Sequence, residues 1–447
     1  MSKKLCLLAS AFALIVSVTS CDKNEWDGVT SKVTVETTFA SADIDASDIS
    51  NVAIKFTDVN TQDVTSGKFD ASGKSTISVI PGVYNVVVES DVVGSDSTAV
   101  RYCAAAENVT IKNENETVKI QIKAFPAVAN NDGFIISEYF FNGETNSGFM
   151  MHPDQYIVIH NSSLITKYAD GLCFATTAQG GWSQPEPFLS GVINDKVALR
   201  AFFTIPGDGK TYPVKPGEEI IIATTAADHS AINTTITTVD RETGDTTEHQ
   251  VSYEYAANLT GADFEWYEQD PKRKDTDNPA VPNLIVTMGA ANVVGTSMMH
   301  PRGPWSAVLF QLEDGDTATI NEFHKANTTI YKYPNSTDKG EKPVEGKEIN
   351  LTTIANAKVL DAICTADRPL VTRPFAESLD RGIFTVSGCH RQELARRKVV
   401  KVDGVKYFKD TNDTSADFEK VFGQYHAPAN WRENGGRTQV TYIGNAK

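Results

Sequence analysis

Residues 117–122 read Thr-Val-Lys-Ile-Gln-Ile, with an apolar side chain at every second position. Successive side chains of a β-strand point to opposite faces, so this alternation is typical of a strand with one buried face. The same alternation recurs upstream at residues 33–38, 51–56, 76–80 and 84–89. Asp70-Ala71-Ser72-Gly73 and Pro81-Gly82 supply turn sequences between these segments. The pattern predicts a small sandwich of antiparallel strands over residues 33–124.

A second and larger unit follows a linker. Residues 124–133 contain Pro126 and end in Asn-Asn-Asp-Gly, a composition that favours a turn or a connection. The chain then becomes strongly apolar at residues 134–141, Phe-Ile-Ile-Ser-Glu-Tyr-Phe-Phe. Residues 224–300 and 323–360 are polar and rich in turn formers. We therefore expect an all-β second domain over residues 133–447, with long loop insertions and a few short helices.

Both units resemble known modules. Asp-x-x-Gly, a strand and then Pro81-Gly82-Val83-Tyr84 resemble the prealbumin-like sandwich that serves as a spacer in exported proteins. The second unit resembles a lamin-tail domain, an immunoglobulin-like sandwich. The resemblance is carried by ISE at 136–138, DQYIVIHNSS at 154–163, ADG at 169–171 and KPGEEIIIA at 215–223.

The N-terminus predicts export and lipidation. Lys3 and Lys4 precede an apolar run from Leu5 to Val18, which is shorter than the roughly 20 residues of a spanning helix. Small residues then lead to Cys21, as in the lipobox of bacterial lipoproteins. We predict a signal peptide over residues 1–20, acylation of Cys21 and a lipidated tether over residues 21–32. The acidic start of that tether resembles a signal for surface export, although a solvated spacer has the same composition.

Composition limits the partners and the redox chemistry. The net charge is −16, and removal of Lys3 and Lys4 with the signal brings it to −18. Such a chain repels phosphate backbones, so we expect no nucleic-acid partner. Four cysteines remain beyond Cys21, at positions 103, 173, 364 and 389. They are either buried thiols or disulfides of undetermined connectivity, with Cys364–Cys389 the simplest pairing.

The sequence carries no familiar catalytic fingerprint. It contains neither a Gly-x-Ser-x-Gly elbow nor a His-Glu-x-x-His helix. No Cys/His spacing suggests a structural zinc site. We therefore predict a protein that is not an enzyme and that has no resident cofactor.

A duplicated Met-Met-His-Pro tract suggests one candidate site. It occurs at residues 150–153 and again at residues 298–301. Thioethers and imidazoles together suit copper(I) or haem iron, so the two tracts could form a soft site if the fold joins them. The alternative is that these methionines fill gaps in the core. The candidate ligand residues are Met150, Met151, His152, Met298, Met299 and His300.

Aromatic residues suggest a rival ligand. Trp182 and Trp305 lie in polar, turn-rich contexts, where an indole face can stack on a sugar ring. The alternative for each is packing in the core. Trp266, Tyr267 and Trp431 raise the same two possibilities.

Together, the lipobox and the two sandwiches resemble an uncharacterised family of Bacteroidota surface lipoproteins. That resemblance implies a protein lipid-anchored at the cell outer membrane and surface-exposed, working beside a TonB-dependent receptor. We expect a non-catalytic binding accessory whose ligand is haem, a metal or a glycan. The alternative is a structural or adhesive surface protein that binds a protein partner.

Overall fold

The predicted all-β class is confirmed. The computed structural model describes residues 30–94, 99–112, 114–129, 133–143, 154–181, 192–231, 233–239, 243–252, 256–267, 277–289, 299–332, 348–402, 405–422, 424–425 and 440–441. Within these ranges the α-helices are α1 (Thr317–Asn327) and α2 (Thr414–Asp417). Single-turn 3-10 helices occur at His229–Ala231 and Asn356–Lys358.

The first seven strands form a sheet of their own, in the order β3-β2-β5-β6-β7-β1-β4. Their bounds are β1 (Ser31–Phe39), β2 (Ala53–Asp58), β3 (Val64–Lys68), β4 (Lys74–Val79), β5 (Gly82–Glu89), β6 (Val100–Ile111) and β7 (Asn115–Pro126). The inward residues of the alternating segments, among them Val35, Phe56, Val86 and Ile122, are fully buried and form one core.

One pairing in this first sandwich differs from the expected antiparallel pattern. β1 lies parallel to β7 over eight residue pairs, from Lys32–Asn115 to Phe39–Ile122. The two strands are the first and last of the unit, so no short hairpin forces them into an antiparallel arrangement. The other ladders described in this sheet are antiparallel.

The second unit contains the remaining strands. Their bounds are β8 (Phe134–Asn142), β9 (Tyr156–Asn161), β10 (Lys167–Tyr168), β11 (Leu172–Thr177), β12 (Lys196–Thr204), β13 (Pro213–Val214), β14 (Glu219–Ala223), β15 (Asn233–Val239), β16 (Thr246–Ser252), β17 (Phe264–Glu265), β18 (Ile285–Met288), β19 (Ala307–Gln311), β20 (Thr328–Lys332), β21 (Glu348–Ala355), β22 (Val359–Ile363), β23 (Thr365–Ala366), β24 (Phe384–Thr385), β25 (Glu393–Arg397), β26 (Val399–Val402), β27 (Val405–Phe408), β28 (Phe418–Phe422), β29 (Gln424–Tyr425) and β30 (Val440–Thr441).

Two sheets pack face to face in this unit. One has the order β17-β14-β9-β8-β25-β28, and the other has the order β20-β21-β12-β11-β19-β22 with β18 beside β12. Apolar residues from both inner faces form the central core. Trp266 lies in that core, parallel to Phe174 at 6.0 Å between ring centroids, so packing is its role. The helix α1 covers the outer face of the second sheet by placing Phe323 against Phe202.

The two sandwiches are joined near the start of β8. Phe125 contacts Tyr407 at 4.4 Å between ring centroids, and the Thr166 amide donates to the Glu107 carboxylate at 2.6 Å. A cleft of about 340 Å³ lies at this joint. The nine residues of β8 lead from the joint to Asn142, a span of about 30 Å at roughly 3.3 Å per residue. We call the Asn142 end of the second sandwich its far end.

Candidate functional site

The far end is held together by two amide side chains. The Gln155 amide nitrogen donates to the carbonyl oxygens of Phe141 (2.5 Å) and Met299 (2.7 Å). The Asn142 amide nitrogen donates to the carbonyls of Pro301 and Gly388, and its oxygen accepts from the Arg391 amide at 2.7 Å. Segments that are far apart in sequence therefore meet here: the end of β8, the stretch that begins at Met299 and the loop before β25.

Most of the predicted metal ligands cannot be placed. Met150, Met151, His152 and Met298 lie outside the described residues, as do Trp182, Trp431 and the lipidation residue Cys21. Met299 is fully buried in the central core, where the packing interpretation fits it. His300 and Trp305 lie at the far end. The soft-metal site therefore stays a prediction.

His300 opens a tight turn. The Gly303 amide donates to the His300 carbonyl at 2.7 Å, and proline and glycine occupy the second and fourth turn positions, as type I turns favour. Gly303 has φ +64, and a Cβ atom there would lie 2.8 Å from the Phe141 ring. Glycine is thus required at this position, and the turn fixes where His300 and Arg302 project.

His300 is a neutral hydrogen-bond donor at physiological pH. Burial, with the nearby Arg302 charge, lowers the pKa of its imidazole to about 4. The Arg302 amide donates to Nδ1 at 3.2 Å, so Nδ1 acts as the acceptor and Nε2 carries the proton. Histidine ligands of metals usually donate from the other ring nitrogen, which Nδ1 cannot do in this arrangement. In this tautomer Nε2 has no lone pair to offer a metal ion.

Trp305 stands beside His300 and is only partly buried. The two rings meet edge to face, with centroids 5.6 Å apart. The guanidinium of Arg200, on β12, lies 3.5 Å from the centroid of the Trp305 ring. Such a cation–π contact is stronger when the cation is shielded from water, and Arg200 is only 8% exposed. The indole is therefore fixed in orientation rather than free to rotate.

A buried carboxylate organises the neighbouring arginines. Asp367, whose side chain is 6% exposed, accepts from Arg302 Nη1 at 3.3 Å and from Arg368 Nε at 2.9 Å. His390 lies close to this group and contacts the Gly143 carbonyl through Nδ1 at 3.1 Å. Burial lowers the pKa of His390, and the charge of Arg302 acts in the same direction.

We call the resulting group the cap cluster, and it comprises Arg200, His300, Arg302, Trp305, Asp367 and His390. It offers N–H donors and one aromatic ring at the far end of the sandwich. Within the described ranges, no group of three or more His, Cys, Asp or Glu residues could hold a metal ion. The sequence pattern predicts His300 and Trp305 as site residues but gives no prediction for the other four. The Pro-Arg-Gly turn could have indicated Arg302, whereas Arg200, Asp367 and His390 lack a local signal.

The cysteines beyond Cys21 are free thiols. Cys103, Cys173 and Cys364 are buried and Cys389 is partly buried, so the Cys364–Cys389 pairing is not formed. Burial raises the pKa of the Cys173 and Cys364 thiols to about 12. These two side chains are therefore unreactive at neutral pH, as expected for packing residues.

Residues 215–424 match the model of a protein family, described as "Protein of unknown function (DUF4876)". The chain is similar to the crystal structure of a DUF4876 family protein from Bacteroides thetaiotaomicron, with 19% identity and a TM-score of 0.52. That match covers 93% of this chain and 98% of the other, and it is a likeness of fold. The structure of a DUF3823 family protein from Parabacteroides merdae matches with 14% identity and a TM-score of 0.16, over 34% of this chain and 67% of that one.

No curated protein matches the chain. The described residues contain no helix long and apolar enough to span a membrane.

Proposed function

We propose that this chain is a lipid-anchored protein of the outer-membrane surface that binds a saccharide at the cap cluster. It catalyses no reaction and presents its ligand to a TonB-dependent uptake receptor. The observation that carries the proposal is the oriented, partly exposed Trp305, in a cluster whose Arg302 side chain is 43% exposed. An aromatic ring next to hydrogen-bond donors suits a sugar, which presents C–H groups on its faces and hydroxyls at its rim.

The position of the cluster supports this role. The first sandwich follows the lipidated tether in sequence, and the cap cluster lies about 30 Å beyond the joint, estimated from the length of β8. A ligand site at the end of the second sandwich that lies away from the joint is accessible to large molecules in the medium. The first sandwich would then act as the spacer that its resemblance implies.

The binding proposal is tested with a glycan array. We expect Trp305→Ala to weaken binding of the preferred saccharides about tenfold, since loss of a ring contact removes roughly 1.4 kcal/mol. The matched control is Tyr168→Ala, because Tyr168 is 38% exposed and lies on β10, near the joint. Identical array profiles for wild type and Trp305→Ala would contradict the proposed site.

The anchoring proposal has its own control within the signal sequence. Cys21→Ala should abolish incorporation of a labelled fatty acid and release the protein from the membrane fraction, because the thiol is the acylation site. Cys6→Ala should leave both unchanged, since Cys6 is removed with the signal peptide. Acylated, membrane-bound Cys21→Ala protein would show that the anchor lies elsewhere.

A further inference from the structure

The cleft at the joint is lined by both sandwiches and lies apart from the cap cluster. β6 and β7 of the first sandwich form one wall, and the end of β9, the loop before β14 and β27 form the other. Its volume of about 340 Å³ falls within the roughly 300 to 1,000 Å³ of small-molecule sites, which occur preferentially between domains. The cleft therefore has room for a single small molecule rather than for a long polymer.

Apolar and aromatic side chains form much of the wall. Phe125 and Tyr407 come from opposite sandwiches and contact each other with ring centroids 4.4 Å apart. Phe125 is 3% exposed, whereas Tyr407 is partly buried. Ala104 and Leu164 complete this apolar part of the lining. A planar ring can pack against such side chains in an offset or edge-to-face arrangement, and its burial there removes apolar surface from water.

The lining also carries one positive charge. Lys123 is an exposed residue of β7, and none of the other described residues that line the cleft carries a permanent charge. Within the described residues its ammonium group forms no ion pair. Gln121, two positions earlier on the same face of the strand, adds an amide that can donate a hydrogen bond. In a chain with a net charge of −16, this lining favours a ligand with one negative charge.

A buried imidazole and the carboxylate behind it set the orientation of such a ligand. His160 lines the cleft and is 6% exposed, so it lies deeper than the exposed Lys123. Its Nδ1 lies 3.6 Å from Glu219 Oε1 and has no hydrogen-bond partner among the described residues. Glu219 lies outside the lining and accepts from Ser137 Oγ at 3.2 Å. Because its negative charge repels a second carboxylate at that depth, an anionic ligand directs its carboxylate outward to Lys123.

We propose that this cleft is a second binding site, which takes a small aromatic monocarboxylate. The ligand ring packs against Phe125 and Tyr407, and its carboxylate accepts from the ammonium group of Lys123. Since the ligand contacts both sandwiches, its binding also stabilises the joint. The site is independent of the saccharide site proposed at the cap cluster, because the two share no residue.

The test is calorimetric titration of the mature chain with three probes: benzoate, benzamide and acetate. Benzamide keeps the ring and removes the charge, whereas acetate keeps the charge and removes the ring. We expect benzoate to bind about tenfold more tightly than benzamide, the strength of a charge-assisted contact. Acetate should bind at least about tenfold more weakly than benzoate, because it buries no ring.

Two lysine variants locate the charge effect. Lys123→Gln should weaken binding of benzoate about tenfold, to the level of benzamide, and should leave binding of benzamide unchanged. The matched control is Lys119→Gln, because Lys119 is also exposed on the same face of β7 but does not line the cleft. This variant should bind all three probes as wild type does.

Four results would overturn the inference. They are equal binding of benzoate and benzamide, a preference for acetate over benzoate, equal weakening of benzoate binding in Lys123→Gln and Lys119→Gln, and no binding of benzoate at millimolar concentration. None of these results affects the saccharide site at the cap cluster, which the glycan array tests separately.

Discussion

Two arginine–aspartate arrangements lie at opposite ends of the second sandwich, and they differ mainly in burial. Near the joint, Arg397 Nη2 contacts Asp361 at 2.5 Å with side chains 1% and 3% exposed. At the far end, Arg302 contacts Asp367 at 3.3 Å with the arginine side chain 43% exposed. We call the buried pair Arg397–Asp361 the strut, because it holds its surroundings in place. The same chemistry at Arg302 leaves donors facing solvent.

The strut connects three strands. Arg397 on β25 also donates through Nε to the Ile136 carbonyl on β8 at 2.7 Å, and through Nη1 to the Lys409 carbonyl at 3.0 Å. Asp361 on β22 accepts from the Ile136 amide at 2.7 Å. Loss of one partner therefore leaves a charge buried among groups that cannot move to solvate it. Burial therefore decides whether such an ion pair stabilises the fold or remains available at the surface.

The largest effect is expected from breaking the strut. Arg397→Met should lower the free energy of unfolding by about 3 to 5 kcal/mol, because Asp361 loses its buried counter-charge. Urea denaturation measures this change. The double variant Arg397→Met, Asp361→Leu should recover part of the loss, since the fully buried carboxylate is removed and only Asp410, whose side chain is 13% exposed, still loses the charge of Arg397. Single and double variants of equal stability would contradict the electrostatic explanation.

A second prediction concerns a buried histidine, His229, and the dependence of the free energy of unfolding on pH. His229 is 1% exposed, its Nε2 contacts the Thr225 carbonyl at 2.9 Å, and burial lowers its pKa to about 4. Between pH 6.5 and 4 the unfolded chain binds a proton that the folded chain excludes. His229 therefore adds stability above pH 6.5 that is lost as pH falls, by about 3 kcal/mol at pH 4.

The measurement is the free energy of unfolding of wild type and His229→Gln across that pH range. The free energy of unfolding should depend less steeply on pH for the variant than for wild type, whatever the absolute stability of the variant. His300→Gln should make the slope shallower to a similar extent, because the pKa of His300 is also lowered to about 4. Parallel slopes for wild type and His229→Gln would contradict the lowered pKa of this histidine in the folded protein.

The smallest effect is expected at the far end. Arg302→Met should change the free energy of unfolding by at most about 1 kcal/mol, because an exposed ion pair is screened by solvent. Thermal unfolding beside Arg397→Met makes the comparison direct. A loss at Arg302 as large as that at Arg397 would mean that the cap cluster serves stability rather than binding.

The sequence predicted the strands with alternating side chains and missed those without alternation. β1, β2, β4, β5 and β7 follow a period of two, and the structure confirms them. β6 contains Ala104-Ala105-Ala106, where an apolar run carries no period, and it was not predicted. β3 was missed because Val64–Lys68 is mostly exposed and short.

The candidate site was only partly predictable for a related reason. His300 and Trp305 lie within one turn-rich segment, so local composition indicated them. The other residues of the cluster are at least 60 positions away from that segment in the sequence: Arg200, Asp367 and His390. The pairing of the strands and the loops at their ends bring them to the same place. The local sequence pattern carries no information about contacts between residues that are so far apart. Met299 stands out in the sequence as a motif residue and packs in the central core, as the packing alternative for the motif predicts.

The most direct test of the account measures saccharide binding by intact cells. Cells carrying wild-type, Tyr168→Ala or Trp305→Ala protein at matched abundance are incubated with the fluorescent form of the saccharide that binds most tightly on the array. The account predicts equal labelling of wild-type and Tyr168→Ala cells and about tenfold weaker labelling of Trp305→Ala cells. Equal labelling of all three, or labelling only after the cells are broken, would contradict a surface binding site at the cap cluster.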